Sequence, residues 1–162
     1  MIVISDTTPL RHLVAIGEDQ LLPQIYGSVI IPEIVLSELS AGSAPESIRQ
    51  WLTVVPAWIR VIRRSTTHPI SESRLDPGET AAIELAIELD PDFLLIDDRA
   101  GREYALKIGL PVIGTLGVLE RADALGLLAN LPDTVAALES SGFYLSASLR
   151  SAVLDRHRLR HR

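Results

Sequence analysis

The chain of 162 residues contains no cysteine, so disulfide bonds, thiolate zinc sites and cysteine nucleophiles are excluded. Aromatic residues form only 4% of the sequence although hydrophobic residues form 47%, so aliphatic side chains must build the core. No run of about 18 apolar residues occurs, and we therefore expect no membrane-spanning helix. A predicted strand begins at Ile2, which leaves no room for a secretory signal, and the absence of cysteine fits the expected location in a reducing cytoplasm.

Positive charge is also scarce, because the formal net charge is −6 and the pI is near 5.2. Phosphate contacts need lysine and arginine, so a nucleic-acid function would depend on local basic patches or on metal ions. One basic segment is present, with Arg156, His157, Arg158, Arg160, His161 and Arg162. We expect a domain at residues 1–154 and a basic tail at 155–162, which could bind RNA, bind an acidic peptide or simply be solvated.

Short β-rich apolar segments alternate along the chain with segments of helical periodicity. Predicted strands lie at residues 2–5, 28–31, 59–62, 93–96 and 110–113. Predicted helices lie at residues 9–16, 32–40, 45–54, 77–89, 100–108, 115–125, 132–141 and 146–154. This alternation predicts a single α/β domain with a mostly parallel central sheet flanked by helices.

Two of the predicted strands run directly into aspartate. The first strand is followed by Asp6, and the fourth by Asp97 with Asp98 beside it. In open α/β sheets, ligands bind in the crevice beyond the carboxyl ends of the strands. The two strand ends therefore predict a shared acidic pocket.

Two glutamates on predicted helices, Glu38 and Glu79, are candidates for the same edge of the sheet. Four gathered carboxylates would repel one another, by roughly 3 kcal/mol per pair at ~5 Å and an effective dielectric near 20. Such a cluster persists only if it is protonated or neutralised by cations, and oxygen ligands of this kind favour Mg²⁺ or Mn²⁺. The alternative is that the aspartates at the strand ends are turn or cap residues and that Glu79 complements the dipole of the predicted helix at residues 77–89, for which Asp76 is a plausible cap.

Five stretches carry a resemblance to a known family. They are residues 3–10 (VISDTTPL), 30–39 (IIPEIVLSEL), 75–83 (LDPGETAAI), 94–99 (LLIDDR) and 109–115 (GLPVIGT). In these stretches the chain resembles the PIN-domain family of metal-dependent ribonucleases, and in particular prokaryotic members close to the toxins of VapBC-type toxin–antitoxin pairs. The resemblance covers most of residues 1–128.

That resemblance implies a fold, an activity and a set of site residues. The fold would be a three-layer sandwich, and the activity Mg²⁺- or Mn²⁺-dependent hydrolysis of RNA. A small antitoxin that masks the pocket and a homodimer are also implied. The family's acidic positions fall on Asp6, Glu38, Glu79 and Asp97, with Asp98 as an accessory ligand and Thr8 where the family often carries a polar Ser or Asn.

Basic and aromatic residues outside the acidic set allow both functional and structural interpretations. Arg99 and Arg102 follow the last acidic pair and could contact phosphate, although a salt bridge to Glu103 is an alternative. Trp51 and Trp58 are more typical of packing than of base stacking. Arg60, Arg63 and Arg64 are expected at an exposed strand end. His68 is expected in a loop.

Two other classes of function remain open at this point. A PIN-like fold could bind RNA or a protein without cutting it, although an inactive copy has no chemical reason to keep a self-repelling acidic cluster. A phosphoryl-transfer enzyme with an aspartyl nucleophile would need a lysine nearby. The single lysine, Lys107, lies in a predicted helix and is poorly placed for that role.

Overall fold

The computed structural model describes residues 1–63 and 69–162, and within them five short strands form one sheet. The strands are β1 (Val3–Ser5), β2 (Val29–Pro32), β3 (Ile59–Ile62), β4 (Phe93–Leu95) and β5 (Val112–Ile113). Their order is β3-β2-β1-β4-β5, and each neighbouring pair is parallel. The predicted parallel sheet is confirmed. Arg64 and His68 lie outside the described residues.

Nine helices surround the sheet in the described ranges of the chain. They are α1 (Thr7–Ala15), α2 (Leu21–Tyr26), α3 (Glu33–Leu39), α4 (Glu46–Trp51), α5 (Pro77–Leu89), α6 (Arg99–Lys107), α7 (Thr115–Ala124), α8 (Leu131–Ser140) and α9 (Ala147–Arg160). Helix α1 begins two residues before the predicted start, because Asp6 directly after β1 already occupies the N-cap position with extended backbone. The chain therefore passes from strand to helix within one residue.

Different helices cover the two faces of the sheet, which gives three layers. On one face, Val3, Ile31 and Leu95 belong to a core shared with α1 to α4 and α7 to α9. On the other face, Ile4 and Leu94 pack with α5 and α6. Because successive side chains of a strand point to opposite faces, strands buried on both faces are expected to be largely apolar, as β2 and β4 are.

The strand order reverses direction between β1 and β4. From β1 the chain adds β2 and β3 on one side and later β4 and β5 on the other. In open α/β folds such a reversal opens a crevice at the carboxyl ends of the two strands. The backbone N–H of Asp6 donates to the carbonyl of Leu95 at 3.0 Å, so the ends of β1 and β4 are held side by side at this crevice.

Helix α9 is longer than the sequence predicts, and its predicted end at residue 154 is wrong. The helix continues to Arg160 because its basic side chains find acidic partners on α7: Arg156 contacts Glu120, and Arg160 contacts Asp123. The expected boundary between domain and tail falls inside this helix. No helix in the described parts of the chain is both long and apolar enough to cross a membrane.

Candidate metal centre

Asp6 is the most buried residue of the acidic crevice, with 1% of its surface exposed. In the described part of the chain its Oδ1 atom has no hydrogen-bond partner, and the carboxylate makes no capping bond to α1 although Asp6 is its N-cap. Burial, with the negative charges of Asp76, Glu79 and Glu38, raises the pKa of Asp6 to about 8, although a hydrogen bond from the Thr7 backbone lowers it. A carboxylate held in this way lacks a positive partner.

Glu38 reaches the crevice from α3 and is fixed by its neighbours. The Thr7 hydroxyl donates a hydrogen bond to Glu38 Oε2, and Arg11 Nη2 donates to the Glu38 backbone carbonyl at 3.1 Å. The Glu38 carboxyl lies over Gly78 at the start of α5, where an added Cβ would come within 2.8 Å of Glu38 Cδ. The glycine therefore leaves the space that this carboxylate occupies.

Asp76 and Glu79 form a capping box at the start of α5. Asp76 Oδ1 accepts from the Glu79 backbone N–H at 2.8 Å, and Glu79 Oε2 accepts from the Asp76 backbone N–H at 3.0 Å. Glu79 is only 5% exposed, and burial raises its pKa to about 7. The interpretation of Asp76 as a cap is confirmed, and Glu79 completes the same cap.

The carboxylates of Asp6, Glu38 and Asp76 come together at this crevice. Each offers one oxygen, and these oxygens lie within 4.8 Å of one another. We refer to Asp6, Glu38 and Asp76 as the acidic cluster. The sequence interpretation missed Asp76 because its position before Pro77 was already explained by capping. The signal that could have identified Asp76 as a site residue is a capping box whose aspartate lies beside a strand end.

Asp97 follows β4 and is held by the start of α7. Its Oδ1 accepts from the Thr115 backbone N–H at 2.7 Å and its Oδ2 from the Thr115 hydroxyl at 2.6 Å. A Cβ on Gly114 would come within 2.9 Å of Asp97 Oδ1 and 2.8 Å of Arg102 Nη1. Because Gly114 has no side chain, the Asp97 carboxylate and the Arg102 guanidinium can both approach its backbone.

The remaining predicted site residues lie near Asp97 or beside the cluster. Asp98 is the N-cap of α6 and accepts from the Gly101 backbone N–H at 3.1 Å. Arg102 donates to the Ile96 carbonyl at 3.0 Å, whereas Arg99 is exposed and pairs with Glu103 at 2.9 Å. The threonine that bonds Glu38 is Thr7, next to the predicted Thr8.

A family model with the description PIN domain matches residues 2–158, almost the whole chain. The chain belongs to the PIN-domain family. Members of this family are generally nucleases, and they usually use a divalent metal ion. The sequence resemblance to the family and the predicted α/β sandwich are confirmed.

A solved structure agrees with the PIN-domain fold. It is a PilT N-terminus domain protein, SSO1118, from the hyperthermophilic archaeon Sulfolobus solfataricus P2. The match has a TM-score of 0.55 and 17% sequence identity, and it covers 80% of this chain and 96% of the other. At this identity the likeness supports the fold alone. No protein with a curated description matches the chain.

The acidic cluster of this PIN domain fits a divalent cation. Its donors are all carboxylate oxygens, which Mg²⁺ and Mn²⁺ prefer, and the Asp6 Oδ1 atom is buried without a hydrogen-bond donor in the described residues. A buried carboxylate without a partner is unfavourable unless it is protonated or faces a cation. Asp6, Glu38 and Asp76 are therefore the residues that could hold such an ion.

Proposed function

We propose that this PIN domain is a Mg²⁺- or Mn²⁺-dependent endoribonuclease that hydrolyses RNA phosphodiester bonds at the acidic cluster. The observation that carries the proposal is Asp6, whose buried Oδ1 has no donor among the described residues and faces further carboxylates. It lies at the crevice where the strand order reverses, which is where α/β folds bind ligands. A cation there would remove the repulsion and would serve phosphoryl chemistry.

Each side chain of the cluster has a definable role in this proposal. Asp6, Glu38 and Asp76 would hold the ion, which when bound supplies charge to bind phosphate, activate water and stabilise the leaving 3′ oxygen. Thr7 orients Glu38 through its hydroxyl. Glu79 orients Asp76 through the capping box. Direct or water-mediated ligation by Glu79 and Asp97, with Asp98 and Thr8 in support, stays a prediction.

A groove beside Asp97 suits a single-stranded substrate. It has a volume of about 450 Å³ and is lined by Asp97, Arg102, Phe143 and Tyr144 among others. The Tyr144 side chain is 86% exposed, so its ring is available for a base to stack on. Arg102 supplies a positive charge for a phosphate at the same groove, and the exposed Arg99 on the same helix is a second candidate.

The toxin role is part of the same proposal and is supported by the sequence resemblance. A small antitoxin would mask the acidic pocket, and the enzyme would form a homodimer. We expect the isolated protein to elute as a dimer in size-exclusion chromatography with light scattering. We also expect the partner encoded beside it to abolish RNA cleavage when it is added in equimolar amount. A monomer that the neighbouring gene product does not inhibit would reject the toxin role and leave the nuclease proposal intact.

The experiment that tests the nuclease compares wild type with Asp6→Asn on single-stranded RNA, in Mn²⁺, in Mg²⁺ and in EDTA. Asp133→Asn is the matched control, because Asp133 is an exposed aspartate in the first turn of α8. We expect cleavage by wild type and by the control, no cleavage in EDTA, and none by Asp6→Asn. Equal cleavage by Asp6→Asn would reject the acidic cluster as the active centre.

A non-cutting PIN module predicts a different outcome of the same assay. It would bind labelled RNA in a gel-shift experiment without shortening it in either metal. The acidic cluster argues against this alternative because a binding module would gain stability by losing one of its repelling carboxylates. Binding without cleavage, at metal concentrations that measurably stabilise the fold, would favour the module over the enzyme.

A further inference from the structure

A second group of residues that could bind a metal ion connects α7 with the C-terminal end of α9 and shares no residue with the acidic cluster. Asp123 lies near the end of α7, His157 lies in the last turn of α9, and His161 is the C-cap residue of α9 one turn later. These three residues each offer one ligand atom, and the atoms lie within 4.8 Å of one another. The Asp123 side chain is buried, with 3% exposed, whereas His161 is half exposed.

The nitrogen and oxygen atoms of this group already face one another. His157 Nδ1 lies 3.0 Å from both Asp123 oxygens, and His161 Nε2 lies 3.1 Å from Asp123 Oδ1. The two imidazole rings are 4.5 Å apart between centroids. In a tetrahedral site with bonds of 2.0–2.1 Å, ligand atoms are about 3.3 Å apart. The distances from Asp123 Oδ1 to the two nitrogens are therefore close to those of one coordination sphere.

Arg160, which lies beside this group, fixes the orientation of the Asp123 carboxylate. Arg160 donates to Asp123 Oδ2 from Nε at 2.9 Å and from Nη2 at 2.7 Å. This pairing engages Oδ2 and leaves Oδ1 toward the histidines. A metal-ligating carboxylate that is itself hydrogen-bonded by a neighbour is the usual arrangement in protein metal sites.

We propose that Asp123, His157 and His161 form a Zn²⁺-class site, with Asp123 Oδ1, His157 Nδ1 and His161 Nε2 as ligands and Arg160 as the positioning residue of Asp123. Two imidazoles and one carboxylate suit zinc and neighbouring transition metals, whereas Mg²⁺ prefers oxygen ligands. Histidines four residues apart on one helix face are a recurring zinc-binding arrangement. The bound ion would fasten α9 to α7.

The alternative is a metal-free contact in which Asp123 accepts hydrogen bonds from the two histidines and from Arg160. The two arrangements make opposite predictions for transition-metal binding. The acidic cluster is a competing site for any added metal, so the binding experiment is carried out in excess Mg²⁺. Asp6→Asn then reports separately on metal bound at the acidic cluster.

The test titrates Co²⁺ and Zn²⁺ into the metal-stripped full chain. We expect one equivalent of Co²⁺ to give the intense visible absorption of a tetrahedral site, and equimolar Zn²⁺ to displace it. His161→Gln and His157→Gln should each weaken binding by about 100-fold or more, beyond the loss usual for an outer-shell change. Arg158→Gln is the matched control, since Arg158 lies on the same helix and pairs with exposed Asp155.

The controls separate this proposal from the proposed nuclease. Asp6→Asn should bind Co²⁺ and Zn²⁺ like wild type even though it no longer cleaves RNA. If His157→Gln does not fold, the half-exposed His161 at the helix end still provides the variant test. No stoichiometric Co²⁺ spectrum in wild type would overturn the zinc proposal in favour of the metal-free contact. Binding that is lost in Asp6→Asn but kept in His161→Gln would also overturn it.

Discussion

Asp6 and Asp123 are both almost completely buried, with 1% and 3% of their surfaces exposed, yet their electrostatic environments are opposite. Asp6 has an Oδ1 atom without a donor in the described chain, and burial raises its pKa to about 8. Burial alone would also raise the pKa of Asp123, but hydrogen bonds from His157, Arg160 and His161 lower it. The comparison shows that partners, and not depth, decide the charge of a buried carboxylate.

The difference has a functional meaning. Asp123 is satisfied by its own chain and stabilises the contact between two helices. Asp6 is destabilising in the absence of a cation, because neighbouring negative charges add to the effect of burial. A buried carboxylate that destabilises the fold at a strand end, as Asp6 does, is typical of a functional site.

The largest expected effect is on RNA cleavage. Asp6→Asn should lower the rate on the order of 10³-fold, because loss of the ion removes several kcal/mol of transition-state stabilisation. Asp123→Asn should keep the rate of the folded protein within about threefold. Single-turnover cleavage at saturating Mn²⁺ measures both. An Asp123→Asn variant that is folded but inactive would remove the functional distinction between the two aspartates.

Stability should rank the two substitutions in the opposite order from RNA cleavage, with the larger loss in Asp123→Asn. Asp123→Asn leaves Arg160 without its carboxylate partner and should lower the free energy of unfolding by about 2–3 kcal/mol. Asp6→Asn removes a repelling buried charge and should leave metal-free stability unchanged or raise it. Urea unfolding in EDTA at pH 8 checks both values. A larger loss in Asp6→Asn than in Asp123→Asn would contradict the comparison.

Stability should also depend on pH through the acidic residues. Because the folded pKa of Asp6 is raised from 3.8 to about 8, the stability associated with its protonated form is present below 3.8 and is lost as the pH rises through 8. Glu79, raised from 4.5 to about 7, contributes in the same direction over its own range. Urea unfolding of the metal-free protein between pH 4 and pH 8.5, in the range set by these pKa values, should therefore show decreasing stability.

Two comparisons sharpen the pH prediction. Saturating Mg²⁺ should remove most of the decrease, because the ion replaces the proton on Asp6. Asp6→Asn should show a shallower profile than wild type in EDTA. Identical profiles for wild type and Asp6→Asn would mean that Asp6 is ionised in the metal-free protein and that its burial does not control its charge.

A smaller effect is expected from Gly78. Gly78→Ala would push the Glu38 carboxyl, because its Cβ comes within 2.8 Å of Glu38 Cδ. We expect Mn²⁺ affinity to fall about tenfold, as for other changes that misplace a ligand. Gly42→Ala is the control, since a Cβ at Gly42 meets open space. Equal Mn²⁺ affinity in the two variants, measured by isothermal titration calorimetry, would show that Glu38 is not a ligand.

Much of the fold could be predicted from the sequence, because most strands are short apolar runs and most helices have apolar periodicity, although α2 was not among the predicted helices. The positions of Asp6 and Asp97 beyond parallel strands could also be predicted from the sequence, since they depend only on where a strand ends. Asp76 was missed because a local explanation, the cap of α5, already accounted for it. Sequence patterns do not reveal that one aspartate can serve as both a cap and a member of a cluster.

The contacts of α9 were not predictable for a different reason. Asp123 contacts residues 34 to 38 positions away, and pairing over such a distance depends on how two helices pack. Periodicity describes each helix separately, so the basic residues of α9 resembled a solvated tail. The choice between Thr7 and Thr8 as the partner of Glu38 also depends on three-dimensional packing, because both threonines lie in the first turn of α1.

The most direct test of the central claim measures Mn²⁺ binding by electron paramagnetic resonance in wild type, Asp6→Asn and Asp123→Asn. The account predicts binding by wild type, loss of that binding in Asp6→Asn, and unchanged binding in Asp123→Asn at a pH and temperature where all three are folded. Mn²⁺ affinity that is unchanged in Asp6→Asn would contradict it, because the buried carboxylate without a partner would then not be the ligand that defines the centre.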